Sequence, residues 1–271
     1  MIPAAFSYHR ASTVDDVLAV LGAHGDDAKI LAGGHSLLPL MKLRLSAPEV
    51  LIDIAPLDEL RFVRLDGDDV VIGALSRYHD LERDPVLLEH APLLAHVAGS
   101  VGDRQVRHRG TLGGSLAHAD SAADLPAAIL ASDGVLVARG PSGERRIPAA
   151  EFFLGPFTTP LEPTELLTEI RLPRQTGQGW GFQKFTRRAI DWAIVGVVVA
   201  GKRVGLVNMG GVPLRAHATE AALAAGASAA DAAALAADDT SPPDEPHATA
   251  DYRRHLARVL TRRALVQAGV N

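Results

Sequence analysis

The chain has 271 residues, of which 47% are hydrophobic, with a formal net charge of −5 and no cysteine. This length allows one large domain or two ordinary ones, with enough apolar residues for a sizeable core. The acidic balance argues against nucleic acid as the main partner. The lack of cysteine excludes disulfides, a thiol nucleophile and a cysteine-ligated iron–sulfur or zinc site within this chain. No stretch has the pattern of a membrane span or a signal peptide, and together these features predict a cytoplasmic protein.

The first part of the chain alternates helical and strand patterns. Residues 12–25 predict a helix, with a Ser-Thr pair as candidate N-cap and glycines at its end. Two apolar runs, AKIL at 28–31 and EVLIDI at 49–54, predict buried strands, and residues 36–45 between them look helical. This alternation predicts a small α/β unit over residues 1–55.

A second block, residues 56–173, mixes predicted hairpins with helices. The predicted elements are, in chain order, a hairpin over 61–75, two or three helices over 77–109, a glycine turn and one helix over 110–134, a hairpin over 135–152 and a strand over 165–173. Together the two blocks predict one domain over 1–173 with two lobes.

The stretch RQTGQG at 174–179 is the best candidate for a linker. Beyond it the predicted elements are antiparallel strands over 180–200 and 202–210, alanine-rich helices over 214–226 and 227–239, a loop, and a final amphipathic helix over 250–269. Strands followed by helices predict a smaller α+β domain over 178–271.

Two glycine motifs carry the strongest functional signal. GGHSL at 33–37 is echoed by GGSL at 113–116, and neither fits the dinucleotide G-x-G-x-x-G or the phosphate-loop pattern. A glycine turn after a strand nevertheless lets bare backbone N–H groups approach a phosphate closely, and Ser36 adds a hydroxyl. Two such turns can hold a pyrophosphate, in which case side chains at Gly33 and Gly113 would block it.

Each of these features also has an ordinary structural explanation. A Gly-Gly pair is often only a turn, and Asp124 can cap the helix that follows it. The basic residues before the second motif can form a solvated face; they are Arg104, Arg107, His108 and Arg109. The sequence contains no H-E-x-x-H spacing and no G-x-S-x-G elbow, which argues against a metal site and a serine hydrolase.

Three segments resemble one known family in order and spacing. AGGHSLLPLMKLRL, VRHRGTLGGSLAHADSAADLP and FQKFTRRAIDWAIVG are similar to the flavoprotein subunits of the molybdenum hydroxylase family, nearest to the medium chains of aerobic carbon monoxide dehydrogenases. The resemblance covers nearly the whole chain. It implies an α+β fold, with a two-lobed p-cresol methylhydroxylase-type FAD-binding domain followed by a smaller C-terminal domain of antiparallel sheet and helices.

The resemblance also implies which residues bind FAD, while no catalytic residue is assigned. Both glycine turns contact the pyrophosphate in that family, a DLP-type aspartate binds FAD, and the lysine of the KFTRR stretch lies near the flavin. The implied cofactor-binding residues are Ala32, Gly33, Gly34, His35, Ser36, Val101, Thr111, Gly113, Gly114, Ser115, Asp124, Leu167 and Lys184. Trp192 is equally compatible with the core and with a flavin neighbour. His108 stands where relatives commonly have asparagine.

The family resemblance further implies a role and partners. Such a subunit takes electrons from an iron–sulfur small subunit of a complex whose large subunit holds molybdenum, and passes them through FAD to an external acceptor. The complex would be a heterotrimer, or a dimer of heterotrimers. One alternative is a stand-alone FAD-dependent oxidase or dehydrogenase with its own substrate pocket. Another is a subunit that has lost the flavin, which the intact glycine motifs disfavour.

Overall fold

The computed structural model describes residues 2–271, and its strands form three sheets of three, five and four strands. The strands are β1 (Ser7–Arg10), β2 (Ala28–Leu31), β3 (Val50–Asp53), β4 (Val63–Asp66), β5 (Asp69–Gly73), β6 (Val135–Gly140), β7 (Gly143–Pro148), β8 (Leu166–Pro173), β9 (Trp180–Phe185), β10 (Val195–Ala200), β11 (Arg203–Val207) and β12 (Leu214–Arg215). The helices are α1 (Val14–His24), α2 (Leu37–Lys42), α3 (Tyr78–Leu81), α4 (Pro85–His90), α5 (Pro92–Gly99), α6 (Arg104–Arg109), α7 (Leu112–His118), α8 (Asp124–Ala131), α9 (Ala149–Phe152), α10 (His217–Ala224), α11 (Ala229–Ala234) and α12 (Ala250–Gln267). None of the helices within 2–271 is long and apolar enough to cross a bilayer.

The N-terminal sheet is parallel, in the order β1-β3-β2. Its helix α1 begins as predicted at a side-chain cap, where the Thr13 hydroxyl accepts a hydrogen bond from Asp16 N at 3.1 Å. Gly25 follows its last turn with a φ of 51°, a conformation that glycine adopts without steric cost. Strand β1 was missed by the sequence analysis because SYHR is an edge strand without an apolar pattern.

The central sheet is antiparallel, in the order β4-β5-β8-β6-β7, and contains both predicted hairpins. Between β5 and α7 the chain forms four short helices, α3 to α6, where two or three were predicted. Pro85 and Pro92 each start a new helix, since proline fits the first turn but cannot continue one, and Asp84 caps α4.

The C-terminal sheet is antiparallel, in the order β12-β11-β10-β9. Strand β10 is buried throughout because it packs on both faces, with alternate residues pointing to opposite sides. Val195, Val197 and Val199 pack with the C-terminal helices, whereas Val198 packs against the central core with α8. The α+β fold class predicted from the resemblance is thereby confirmed.

Candidate functional site

A cleft of about 560 Å³ opens where the N-terminal sheet, the helices α7 and α8 and the C-terminal sheet meet. Every residue that the sequence analysis assigned to cofactor binding lines this one cleft: Ala32, Gly33, Gly34, His35, Ser36, Val101, Thr111, Gly113, Gly114, Ser115, Asp124, Leu167 and Lys184. The chain therefore brings together groups that lie far apart in sequence.

The first glycine turn, residues 32–36, connects the end of β2 to α2. Gly34 has a φ of 78°, which a residue with a side chain rarely adopts, so the turn needs glycine there. Within residues 2–271, the N–H groups of Gly33, Gly34, His35 and Ser36 donate no hydrogen bond to backbone or side-chain acceptors. Four consecutive N–H groups are thus available to an acceptor in the cleft, as the sequence predicted.

The second glycine turn does not repeat this arrangement. It forms the first turn of α7, and Thr111 caps that helix by accepting a hydrogen bond from Gly114 N at 3.2 Å. Gly113 N donates to Ala74 O at 2.9 Å, and Ser115 N donates to Thr111 O at 3.1 Å. The prediction of two equivalent sets of bare N–H groups is therefore wrong for the second turn, which offers the cleft mainly hydroxyl groups.

The two turns do meet, and the glycines explain how. A Cβ atom on Gly33 would lie 2.3 Å from Arg109 O, and one on Gly113 would lie 2.8 Å from Ala74 O. Both glycines therefore allow backbone to pack on backbone, so the expectation that their side chains would collide with a phosphate is wrong. A Cβ on Gly114 would face the other turn, 3.9 Å from the Cβ of Ala32.

Asp124 and Lys184, predicted separately, form an ion pair in the wall of the cleft, with Lys184 Nζ 2.6 Å from Asp124 Oδ2. The side chains are 5% and 11% exposed, respectively. Burial raises the pKa of Asp124, and the ammonium group of Lys184 partly offsets that rise. Asp124 makes no helix-capping bond, contrary to that alternative, because it is already the first residue of α8.

One carboxylate oxygen of this pair has no partner. Asp124 Oδ1 is buried and makes no hydrogen bond among the described residues. A buried acceptor without a donor costs free energy, so in native proteins it usually meets a water or a ligand. Asp124 lines the cleft, so a donor group bound there is a candidate partner for Oδ1.

Tyr78 forms part of the cleft wall and was not predicted from sequence. Its ring packs on Gly110, where an added Cβ would lie 2.4 Å from a ring carbon. Burial raises the pKa of the Tyr78 phenol to about 12, a hydrogen bond with Ser115 lowers it, and the charge of Asp124 raises it. Nothing near Tyr78 in sequence signals this role, since an isolated backbone bridge between Arg77 and Thr111 brings it to the second turn.

The positions of Trp192 and of the basic residues of α6 can be compared with the alternatives that the sequence left open. Trp192 is 60% exposed and lines the cleft, so it is not a core residue. The basic residues of α6 do not line the cleft. Arg107 instead turns inward, with its Nε 3.1 Å from Glu82 Oε2 and its Nη1 3.2 Å from the carbonyl oxygen of Val101. His118 and Glu165 also line the cleft but were not predicted as site residues, since no local sequence signal assigns either side chain to the site.

Known proteins match this chain over nearly its whole length. The family described as "FAD binding domain in molybdopterin dehydrogenase" matches residues 4–175, and "CO dehydrogenase flavoprotein C-terminal domain" matches residues 180–268. The carbon monoxide dehydrogenase medium chain of Hydrogenophaga pseudoflava is 41% identical over 98% of this chain and 97% of its own. The glyceraldehyde dehydrogenase medium chain of Sulfolobus acidocaldarius is 36% identical over 97% and 98%.

Solved structures agree with this result. The carbon monoxide dehydrogenase of Hydrogenophaga pseudoflava lacking the Mo-pyranopterin moiety superimposes with a TM-score of 0.96 at 43% identity, over 99% of both chains. Quinoline 2-oxidoreductase from Pseudomonas putida 86 gives a TM-score of 0.92 at 31% identity, over 99% of this chain and 98% of that one. The chain therefore belongs to the FAD-binding subunits of the molybdenum hydroxylase-type oxidoreductases, and its cofactor is FAD.

Proposed function

We propose that this chain is the electron-transfer subunit of a heterotrimeric molybdenum hydroxylase. Electrons would arrive from an iron–sulfur small subunit, which is served by a molybdenum-containing large subunit, and would leave to an external acceptor. Two facts support this role. The relatives are named as medium chains or as subunits of dehydrogenase complexes, and this chain has no cysteine with which to bind a cluster of its own.

The donor and acceptor groups that line the cleft support the binding of FAD there, and this observation carries the proposal. The free N–H groups of residues 33–36 can donate to the pyrophosphate oxygens, and the Thr111 hydroxyl adds a donor from the second turn. The unpaired Asp124 Oδ1 can accept a hydrogen bond from a hydroxyl or ring N–H group of the cofactor. Val101, Leu167 and Trp192 supply apolar surface along the same cleft.

The chemistry of electron transfer belongs to the cofactor, because a bound flavin can accept and release electrons singly or in pairs. The protein's own residues bind and orient it and limit the access of water. For this reason we assign no proton-transferring residue. The dimer of heterotrimers and the cytoplasmic location stay predictions from the sequence and the family resemblance.

A stand-alone FAD-dependent oxidase or dehydrogenase is the second candidate, and one observation favours it. A second cleft, of about 680 Å³, adjoins the first and shares Asp191 and Trp192 with it. Polar side chains, among them Asn208 and His247, line it. A small substrate could therefore bind within this chain, next to the cofactor cleft.

Two experiments test the proposal. The purified chain, incubated with FAD and passed over a desalting column, is expected to retain noncovalently bound flavin. The bound flavin is detected by its absorption band in the visible range. Affinity purification from the native host is expected to recover an iron–sulfur protein and a molybdenum protein with it. Flavin retention without these partners, together with turnover of a small substrate by the chain alone, would favour the stand-alone enzyme.

A further inference from the structure

Lys184 and Asp124 belong to different parts of the chain. Lys184 lies on β9, within the segment matching the flavoprotein C-terminal domain, whereas Asp124 starts α8, within the segment matching the FAD-binding domain. Their 2.6 Å contact therefore links the C-terminal matched segment to a residue of the cofactor cleft in the N-terminal matched segment. The family resemblance implies that this lysine binds the cofactor near the flavin, but it predicts no contact between Lys184 and Asp124.

The two carboxylate oxygens of Asp124 have different environments. Oδ2 accepts a hydrogen bond from Lys184 Nζ, and Oδ1 is buried without a partner among the described residues. The Asp124 side chain is only 5% exposed, and the residue lines the cleft. An ionised carboxylate in such a place needs a counter-charge, since desolvation favours the neutral acid.

We propose that Lys184 is a positioning residue that acts through Asp124, holding it ionised and oriented so that Oδ1 accepts a hydrogen bond from FAD. This inference rests on the proposed binding of FAD in this cleft. Lys184 then contributes to FAD affinity by way of the carboxylate that it holds in place. The C-terminal part of the chain thereby completes the cofactor site of the N-terminal part.

The charged and titratable groups around Asp124 are few. Lys184 reaches it from β9, and the Tyr78 phenol from α3 lies close enough for the Asp124 charge to raise the pKa of that phenol. Tyr78 is neutral over the physiological range, so Lys184 is the group that opposes the effect of burial on the pKa of Asp124. Removing the lysine charge leaves burial unopposed, and Asp124 then takes up a proton at a higher pH.

The test measures the FAD dissociation constant of the full chain by flavin fluorescence for single and double variants. Lys184→Met and Asp124→Asn are each expected to weaken binding roughly tenfold or more at pH 7, because a buried charge pair is broken. Lys184→Arg, which keeps the charge, is expected to stay within about threefold of the wild type. The double variant is expected to bind about as well as Asp124→Asn alone, because residues that act as one unit are not additive.

A pH profile separates this role from a merely structural one. From pH 6 to 9 the wild-type affinity is expected to stay level, while Lys184→Met binds FAD more tightly as the pH rises and Asp124 ionises. Lys42→Met is the matched control, since Lys42 is exposed and lies outside the cleft lining. Circular dichroism of each apo variant checks its fold, and Lys184→Gln replaces any Lys184→Met protein that does not fold.

The outcomes distinguish a failure of the proposed function from a failure of the role proposed for Lys184. A wild-type chain that binds no FAD overturns the proposed function, and this inference with it. A wild-type chain that binds FAD, but whose Lys184 and Asp124 effects multiply in the double variant, overturns the inference alone. So does a Lys184→Met variant whose weakened affinity does not change with pH.

Discussion

The glycines at the two turns serve different purposes, although they look alike in sequence. Gly33 and Gly113 let main chain pack against main chain, so valine at either position would collide with a carbonyl oxygen. These variants are expected to misfold and say little about ligand binding. Gly114 is exposed at the cleft, and its missing side chain faces the other turn.

Gly114→Ala therefore tests the two-turn site at a single residue. The added methyl group would lie 2.7 Å from Thr111 Oγ1 and disturb the cap of α7, which costs about 1 kcal/mol. Alanine gains about 1 kcal/mol over glycine in a helix, so the net change in unfolding free energy should be small. FAD affinity should fall roughly tenfold, measured by fluorescence titration, because the methyl group narrows the space between the turns. An unchanged affinity would show that the pyrophosphate does not lie there.

Tyr78 makes the stability of the folded protein depend on pH in alkaline solution. Its folded-state pKa of about 12 lies above the usual 10, so folding favours the neutral phenol. The contribution of this pKa shift to the unfolding free energy is fully present below pH 10 and is lost as the pH rises through 12. It amounts to roughly 3 kcal/mol, at about 1.4 kcal/mol for each pKa unit. Urea unfolding of Tyr78→Phe should show a shallower loss of stability above pH 10 than the wild type. Parallel curves for the two proteins would contradict the assignment.

Helix α8 connects the cofactor cleft to the C-terminal sheet. All of its residues are buried, and its first residue, Asp124, lines the cleft. At its other end Arg203 Nε donates to Ala131 O at 3.0 Å, and Arg215 Nη1 lies 2.7 Å from Asp133 Oδ1. Cations at a helix C-terminus are favourable, so the C-terminal sheet holds this helix in place electrostatically as well as by packing.

Close packing of α8 on β11 requires a glycine. A Cβ on Gly205 would lie 2.6 Å from Ala127 O, so Gly205→Ala should push sheet and helix apart and lower the unfolding free energy by about 1–3 kcal/mol. FAD affinity should weaken too, because Asp124 moves with the helix. The matched control is Gly22→Ala in α1, where nothing lies within 4 Å and stability should rise by about 1 kcal/mol. Equal effects of the two substitutions on thermal unfolding would contradict this packing.

The sequence predicted most of the helices and strands but few of the tertiary contacts between them. Hairpins, buried strands and the long C-terminal helix have local signals, and so does the Thr13 cap. The number of helices between 77 and 109 was underestimated because proline both starts and interrupts them. The Lys184–Asp124 pair and the position of Tyr78 could not be predicted, since tertiary packing alone brings them together. Local patterns likewise do not reveal whether a glycine N–H group is already bonded within the protein.

The whole molecule is expected to unfold as one unit, because its central core crosses between the matched segments. Phe182, Val198 and Val207 of the C-terminal sheet pack in the same cluster as residues of α8 and the central sheet. Both tryptophans, Trp180 and Trp192, lie in the C-terminal part, so their fluorescence reports on that part, while far-UV circular dichroism reports on the whole chain. Urea transitions by the two probes should coincide. A fluorescence midpoint well apart from the circular dichroism midpoint would show independent domains.

A crystal structure of this chain with FAD is the most direct test of the account. We expect the pyrophosphate between the two glycine turns, within hydrogen-bond distance of N–H groups from residues 33–36, and a cofactor donor on Asp124 Oδ1. Lys184 Nζ should still contact Asp124 Oδ2. A structure with FAD bound outside this cleft, or with residues 33–36 making no contact with the pyrophosphate, would contradict the central claim.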